Sequence, residues 1–104
     1  MAVTYLIKFS IAPGKRVLFL ELLTGVMDAM RSEATFHDAA LHVDPDDEHR
    51  MMLIETWESH DDVMAVQLHR PYRKTWHDAL PDLLCEPRDI SIWRPLRADR
   101  AASE

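Results

Sequence analysis

Residues 49–57, His-Arg-Met-Met-Leu-Ile-Glu-Thr-Trp, decide the fold of this chain. The run Met-Met-Leu-Ile at 51–54 would be apolar on both faces of an extended chain, which is typical of a strand inside a sheet. The turn signal Asp-Pro-Asp-Asp at 44–47 precedes it, and a more polar strand pattern over 36–43 comes before that turn. We therefore predict an antiparallel hairpin with a central second strand.

The segments around this hairpin show a clear periodicity of apolar residues. Residues 3–11 alternate between apolar and polar, and residues 15–32 carry apolar residues at helical spacing. Ser59 has the position of an N-cap. The predicted elements are a strand over 3–11, a helix over 15–32, strands over 36–43 and 49–57, a helix over 61–68 that restarts after Pro71 over 72–80, a short turn over 81–84, and a strand over 88–94.

The resulting order, β-α-β-β-α-β, is that of a ferredoxin-like α+β sandwich. We expect one domain over residues 1–96, followed by a frayed, charged tail over 97–104. Two helices cover only one face of a four-stranded sheet, yet strands one, three and four carry apolar residues on both faces. A second copy of the same sheet is the simplest cover, so the sequence predicts a homodimer with the architecture of a dimeric α+β barrel.

The charge and composition of the chain argue against nucleic acids and membranes as binding partners. The chain has 104 residues and a formal net charge of −6, whereas nucleic-acid binding needs a basic surface. Anionic membrane surfaces are disfavoured for the same reason, and no apolar run reaches the roughly 18 residues of a membrane span. The chain opens directly on a strand pattern, from which we expect no leader, and Cys85 is its only cysteine. We expect a cytoplasmic protein whose single thiol is buried or half-buried.

The six histidines suggest metal binding, but their spacing argues against it. His37 and His42 would point to opposite faces of a strand. His60, His69 and His77 lack the i, i+4 spacing that places two imidazoles on one side of a helix. We predict no metal site.

Two stretches carry groups capable of chemistry. Glu55 and Trp57 share a strand face, either as core packing beside a satisfied carboxylate or as the lining of a cavity. The second stretch, residues 67–77, holds an amide, two imidazoles, a phenol and an indole. Helical spacing would place Arg73, Trp76 and His77 on adjoining positions, with His69 and Tyr72 one turn earlier. The alternative is an ordinary helix edge.

Several segments of residues 3–96, taken in combination, resemble those of a known protein family. They are the opening strand that ends in Ala-Pro-Gly at 12–14, the segment Glu-Thr-Trp-Glu-Ser at 55–59, the second helix with Pro71, and the closing Ile-Ser-Ile-Trp-Arg-Pro at 90–95. With these pieces the chain resembles the antibiotic biosynthesis monooxygenase family, which includes small quinol monooxygenases. The resemblance implies a ferredoxin-like dimer, in agreement with the periodicity.

The chain departs from two patterns of this superfamily. Many quinol-monooxygenase-like members carry His-Leu-x-x-Pro-His, where this chain has Gln67 and Tyr72 in place of the histidines; His69 is a candidate substitute. A haem-degrading branch uses an Asn, a Trp and a haem-ligating His, and the corresponding residues are Ile7, Gln67 and His77. Only the histidine matches, which disfavours haem degradation and leaves haem binding through His77 as a testable alternative.

The resemblance implies a cofactor-independent monooxygenase that acts on a quinol or polyphenol-like aromatic small molecule with dioxygen. Such chemistry asks the protein to hold the substrate, accept a proton and exclude water. An imidazole suits the proton acceptor, so His69 or His77 is the predicted base. Tyr72 or Gln67 would hydrogen-bond the substrate oxygen. The remaining predicted pocket residues are Phe9, Glu55, Trp57 and Trp76. The alternative is a non-enzymatic dimer that binds a small aromatic ligand.

Overall fold

The protein is described by a computed structural model over residues 1–102. Its elements are β1 (Val3–Ser10), α1 (Arg16–Met30), β2 (Phe36–Asp44), β3 (Asp47–Trp57), α2 (His60–Ala65), two 3₁₀ turns (Gln67–His69 and Pro71–Arg73), α3 (Lys74–Leu83) and β4 (Asp89–Trp93). The order is the predicted one, except that the second helical region is split into four pieces. Pro71 explains the break, because it lacks an N–H and holds Arg70 in extended backbone at φ −63° and ψ 133°.

The four strands form one antiparallel sheet in the order β2-β3-β1-β4. β3 pairs with both β1 and β2, so the strand predicted to be central is central. The edges are β2, which is more polar, and the short β4. This topology, with helices on one side of the sheet, confirms the ferredoxin-like α+β prediction.

The core lies between the sheet and the helices. Alternate residues of β1 and of the second half of β3 are buried on this side. Phe9, Phe19 and Trp76 meet edge to face, with ring centroids 5.0, 5.3 and 5.9 Å apart. Such aromatic contacts add to area burial, and here they join β1, α1 and α3. The cluster therefore fixes α3, and the side chains it carries, over the sheet.

The other face of the sheet has no covering helix within residues 1–102. Leu6 lies opposite Ile54 in the β1–β3 register, and Met52 lies on the same face. These three side chains are half-buried, while Trp93 of β4 is 60% exposed. The predicted apolar residues on both faces are therefore present, and the dimer stays a prediction.

Two local expectations were wrong. α3 continues through Pro81 to Leu83 and does not end at residue 80, because Pro81 removes only one hydrogen bond in the last turn while Leu80 and Leu83 are buried. Cys85 is exposed. It follows the end of α3, where the chain leaves the core, and its thiol donates to the Ile11 carbonyl at 3.6 Å.

The predicted tail of residues 97–104 falls partly outside the described residues, because 103 and 104 are not described. Residues 97–102 are exposed and form neither helix nor strand. Among the helices of residues 1–102, none has the length and apolar character needed to cross a membrane.

Candidate functional site

A cavity of about 160 Å³ lies between the helix-facing side of the sheet and the helical layer. Its apolar wall comes from both layers and includes Ile7, Phe9, Leu23, Leu53 and Trp76. An engineered apolar cavity of about 150 Å³ is large enough to bind benzene. The inner cavity therefore suits a single aromatic ring.

Four large apolar residues of the cavity wall remain partly open to solvent. They are Met64, Leu68, Ile90 and Ile92, with exposed fractions between 37% and 58%. The first two belong to the segment around α2, and the isoleucines lie on the edge strand β4. We place the mouth of the cavity between these two elements.

Two larger grooves lie outside the sandwich. One, of about 690 Å³, runs beside the β2–β3 hairpin and is lined largely by surface side chains such as Lys8 and Arg50. The other, of about 580 Å³, lies at the end of α3 and shares Leu68, His77 and Arg88 with the inner cavity. We take the inner cavity as the site because it gathers buried ionisable groups on an apolar wall.

Five polar side chains line the inner cavity: Tyr5, Glu55, Arg73, His77 and Arg88. Tyr5 and Glu55 face each other directly across the β1–β3 pair. Arg73 and His77 lie about one helical turn apart where α3 begins, and Arg88 directly precedes β4. Each group is thus positioned by a regular element or its end.

Glu55 is the buried carboxyl group of the site. It is 6% exposed and accepts a hydrogen bond from Nε1 of Trp57 at 3.3 Å. Burial raises the pKa of Glu55, while the Arg73 charge, the Trp57 bond and the Arg88 charge oppose that rise. Glu55 therefore keeps a proton more readily than a surface carboxyl group does.

His77 is half-buried on the cavity wall. Burial lowers its pKa below the ordinary 6.5; Arg88 and Arg73 act in the same direction, and Asp78 opposes them. The imidazole is consequently neutral at pH 7. A neutral imidazole inside a largely apolar cavity can accept a proton from a bound ligand.

Arg73 is a buried cation between two aromatic rings. Its guanidinium carbon lies 5.7 Å from the centroid of the Trp57 ring and 5.6 Å from that of Tyr72. Only 6% of the residue is exposed, and Trp57 is fully buried. Cation–π contact with both rings holds the planar guanidinium in place.

Tyr5 adds a hydroxyl group to the cavity. Its Oη lies 2.7 Å from Nδ1 of His60, at the start of α2. Burial raises the pKa of Tyr5, and the charge of Glu55 adds to the rise. Tyr5 therefore remains a neutral phenol that can form hydrogen bonds at neutral pH.

Of the eight site residues predicted from the sequence, the structure brings four to the cavity: Phe9, Glu55, Trp76 and His77. A fifth, Trp57, is buried in the core behind them, where it contacts both Glu55 and Arg73. Both interpretations of the Glu55–Trp57 pair thus hold in part, since the carboxyl group lines the cavity and the indole packs in the core.

Gln67 lies apart from the cavity wall. Its amide nitrogen donates to Oδ2 of Asp62 at 3.2 Å and to Oγ1 of Thr35 at 3.4 Å. Thr35 in turn donates to the same Asp62 oxygen at 2.8 Å. In this structure the amide therefore ties α2 to the start of β2.

His69 and Tyr72 also lie outside the wall. His69 is exposed, and the buried Tyr72 hydroxyl has no hydrogen-bond partner within residues 1–102. The prediction used helical spacing across Pro71, which placed His69 and Tyr72 one turn before Arg73, Trp76 and His77. The extended backbone at Arg70 and the two 3₁₀ turns change that spacing, so His69 does not share a face with His77.

The sequence interpretation missed Tyr5, Arg73 and Arg88 as site residues. Arg73 carried a usable signal, its helical spacing to Trp76 and His77, but it was not included among the predicted pocket residues. Tyr5 belongs to an alternating strand and looked like core, because its partner Glu55 is set by strand register. Arg88 has no local signal.

The histidines remain dispersed. Within residues 1–102, no three His, Cys, Asp or Glu side chains are grouped in a way that could hold a metal ion. His60 contacts Tyr5 and His77 lines the cavity, while His37, His42 and His69 are exposed.

Comparison with solved structures shows that this fold is widely shared. Rv0793 from Mycobacterium tuberculosis superposes with a TM-score of 0.83 at 20% identity, covering 98% of this chain and 100% of that one. SnoaB from Streptomyces nogalater, a cofactor-independent oxygenase, superposes with a TM-score of 0.78 at 18% identity, covering 93% of this chain and 95% of that one. At these identities the likeness concerns the fold.

Sequence comparison agrees. A protein of Pestalotiopsis microspora with the name "Putative monooxygenase GME11364" is 26% identical over 88 residues, which cover 84% of this chain and 73% of that protein. Residues 2–79 match the family model described as antibiotic biosynthesis monooxygenase. The match spans most of the chain and contains four of the five polar residues of the cavity, all but Arg88. The chain belongs to the antibiotic biosynthesis monooxygenase family.

Proposed function

We propose that this protein is a cofactor-independent monooxygenase that acts on a quinol or polyphenol-like aromatic small molecule. The observation that carries the proposal is the neutral imidazole of His77 on an apolar cavity wall, with its pKa lowered by burial and by the nearby Arg88. Membership of the family supports the reaction class, and SnoaB, of the same fold, is a cofactor-independent oxygenase. The aromatic wall formed by Phe9 and Trp76 supports an aromatic substrate.

The proposed reaction begins when the substrate phenol gives its proton to His77. The phenolate passes one electron to dioxygen, which yields superoxide and a substrate radical, and the two combine into a C–O bond. The ring carbon then loses its hydrogen as the O–O bond breaks. One oxygen atom stays on the ring and the other leaves as water, so a quinol and dioxygen give a hydroxyquinone and water.

The side chains have distinct roles in this proposal. A neutral imidazole is a weaker base than a phenolate, so the first step needs stabilisation of the anion that forms. The Arg88 cation supplies it, for the phenolate and for superoxide, and the largely apolar cavity wall strengthens the effect. Tyr5 offers a hydrogen bond to a substrate oxygen, and the aromatic wall holds the ring.

We also propose that the protein is a homodimer, formed through the uncovered face of the sheet. Two pairs of polar groups on that face are already hydrogen-bonded within the sheet: Thr4 with Thr56 at 2.8 Å, and Nε1 of Trp93 with Oγ of Ser91 at 2.8 Å. Contact with a second sheet would therefore bury the apolar centre of the face without leaving these four groups unpaired.

The proposed function is tested by oxygen consumption. Metal-free protein without added flavin is mixed with a panel of quinols, and uptake is compared with the autoxidation blank. We expect uptake that falls by about 10²-fold or more in His77→Gln, the size of a lost general base. His37→Gln, which removes an exposed imidazole of β2, should retain the full rate.

His69→Gln separates the two histidines predicted as bases. A full rate in His69→Gln together with a lost rate in His77→Gln supports the base assigned above. Loss of the rate in His69→Gln alone would contradict that assignment and return the role to the exposed histidine.

The second candidate function is a ligand-binding dimer without turnover. Gln67 and Tyr72 favour it, because they stand where related quinol monooxygenases carry histidines and both lie off the cavity wall. Absence of oxygen uptake across the panel, with an aromatic ligand still bound in the cavity, would select this alternative.

A further inference from the structure

Arg73 has an unusual environment for a buried cation. It is 6% exposed, its Nε is buried with no acceptor within residues 1–102, and it belongs to none of the ion pairs in that part of the chain. The five ion pairs in this part of the chain involve other, more exposed side chains. A buried charge is costly unless it is paired, and a guanidinium cannot escape by losing its proton.

The two rings beside Arg73 account for only part of its stabilisation. Trp57 and Tyr72 hold the guanidinium by cation–π contact, but the Arg73 Nε still has no acceptor among the described residues. Because Arg73 also lines the cavity, an acceptor can reach it from there. A buried, pre-oriented guanidinium whose Nε lacks an acceptor from the described chain suits a ligand carboxylate, which it can bind with two parallel hydrogen bonds.

The charge of the cavity points the same way. Arg73 and Arg88 are two permanent cations, His77 is neutral, and Glu55 is the one carboxyl group on the wall. At least one positive charge is uncompensated, in a chain whose formal net charge is −6. The surplus is local to this cavity and favours an anionic ligand.

We propose that the aromatic ring bound in the inner cavity carries a carboxylate, and that this carboxylate pairs with Arg73. The volume of about 160 Å³ sets the size at one ring, with further substituents directed to the adjoining groove near Arg88. Arg73 and His77 are about one helical turn apart, so a ring can meet both, its carboxylate at Arg73 and its phenol at His77. The inference rests on the proposed function for the phenol and extends it by the charged substituent.

The test compares two probes of one shape and different charge, benzoate and benzamide, by isothermal titration calorimetry at neutral pH. We expect benzoate to bind about tenfold or more tightly, as hydrogen bonds to a charged group imply. Arg73→Gln should bring the ratio of the two affinities close to one. Lys74→Gln, which removes a neighbouring but exposed cation paired with Asp78, should leave the ratio unchanged.

A second variant, which removes a negative charge from the same wall, keeps the proposal testable if Arg73→Gln does not fold. Glu55→Gln removes the carboxyl group on the same wall, keeps an acceptor for Trp57, and should strengthen benzoate binding without strengthening benzamide binding. Circular dichroism melting shows which variants fold. If Arg73→Gln does not fold, the response of Glu55→Gln decides the outcome.

Three results would overturn the inference: equal affinity of the wild type for the two probes, a preference for benzoate that survives in folded Arg73→Gln, or weaker benzoate binding in Glu55→Gln. The outcome is separable from that of the oxygenase assay. If the benzoate preference depends on Arg73 but no quinol causes oxygen uptake, the proposed oxygenase activity is wrong and the proposed carboxylate site is supported. Uptake without the preference leaves an oxygenase of uncharged phenols.

Discussion

His77 and Arg88 lie on one cavity wall, and the charge of the arginine acts on the proton of the imidazole. Burial is the larger cause of the lowered His77 pKa, and Arg88 is the next. Both keep the base neutral to a lower pH than an exposed histidine would allow. The catalytic role proposed for His77 therefore depends on a residue that the chain places eleven positions later.

Replacing Arg88 should change the pH range of the reaction. In Arg88→Gln we expect the His77 pKa to rise toward 6.5 and to stay below it, because burial remains. Nuclear magnetic resonance titration of the imidazole signals measures the shift directly. Since the protonated imidazole cannot accept a proton, the acid limb of kcat/KM should move to higher pH in parallel.

The matched control for this change is Arg94→Gln, which removes an exposed arginine just after β4. We expect the His77 signals in that variant to titrate as in the wild type. An unchanged His77 titration in Arg88→Gln would refute the electrostatic coupling between the two residues.

At the scale of elements, α2 is the least stable helix of the layer that covers the cavity. A helix of six residues does not form alone in water. Ser59 stabilises it through Oγ, which accepts the Asp62 N–H at 3.2 Å, and the Asp62 carboxylate is held by Thr35 and Gln67. Met64 of this helix lines the cavity, so the cap also affects the site.

Removal of this cap should lower stability measurably. We expect Ser59→Ala to cost about 1 kcal/mol of unfolding free energy, as for typical N-caps. In a domain of this size the melting temperature should fall by about 4–8 °C. Thermal melting followed by circular dichroism measures it.

Ser32→Ala is the control, since Ser32 is exposed after α1 and its side chain makes no hydrogen bond with other described residues. It should change stability by less than about 0.5 kcal/mol. Equal melting temperatures for Ser59→Ala and the wild type would show that the cap does not stabilise α2.

At the scale of the whole molecule, the uncovered sheet face decides the oligomeric state. Its centre is the cross-strand pair Leu6 and Ile54. Ile54→Lys places a charge at that centre, and we expect it to convert the proposed dimer to a monomer of 12.1 kDa. Light scattering at micromolar concentration measures the mass.

A lysine placed on another surface tests whether loss of the dimer in Ile54→Lys depends on the sheet face. Val17 of α1 is 70% exposed, so Val17→Lys adds the same charge to the helical side of the molecule and should leave the dimer intact. A wild-type mass of about 12 kDa at micromolar concentration would contradict the proposed dimer.

Local patterns were enough to predict most of the fold. The apolar run at 51–54 placed β3 inside the sheet, and the alternation over 3–11, which only Leu6 interrupts, placed alternate residues of β1 in the core. The helical spacing of α1 and the Ser59 cap were equally readable. These features depend on residues close in sequence, and periodicity reports them directly.

The sequence by itself determined the order of the elements and the central strand. It also determined part of the site, since Trp76 and His77 lie in the same turn of one helix. The tertiary structure alone decided the rest. Strand register set Tyr5 against Glu55, packing buried Arg73 between two aromatic rings, and the turn before β4 brought Arg88 to His77. These contacts join residues distant along the chain, and no local period encodes which of them meet.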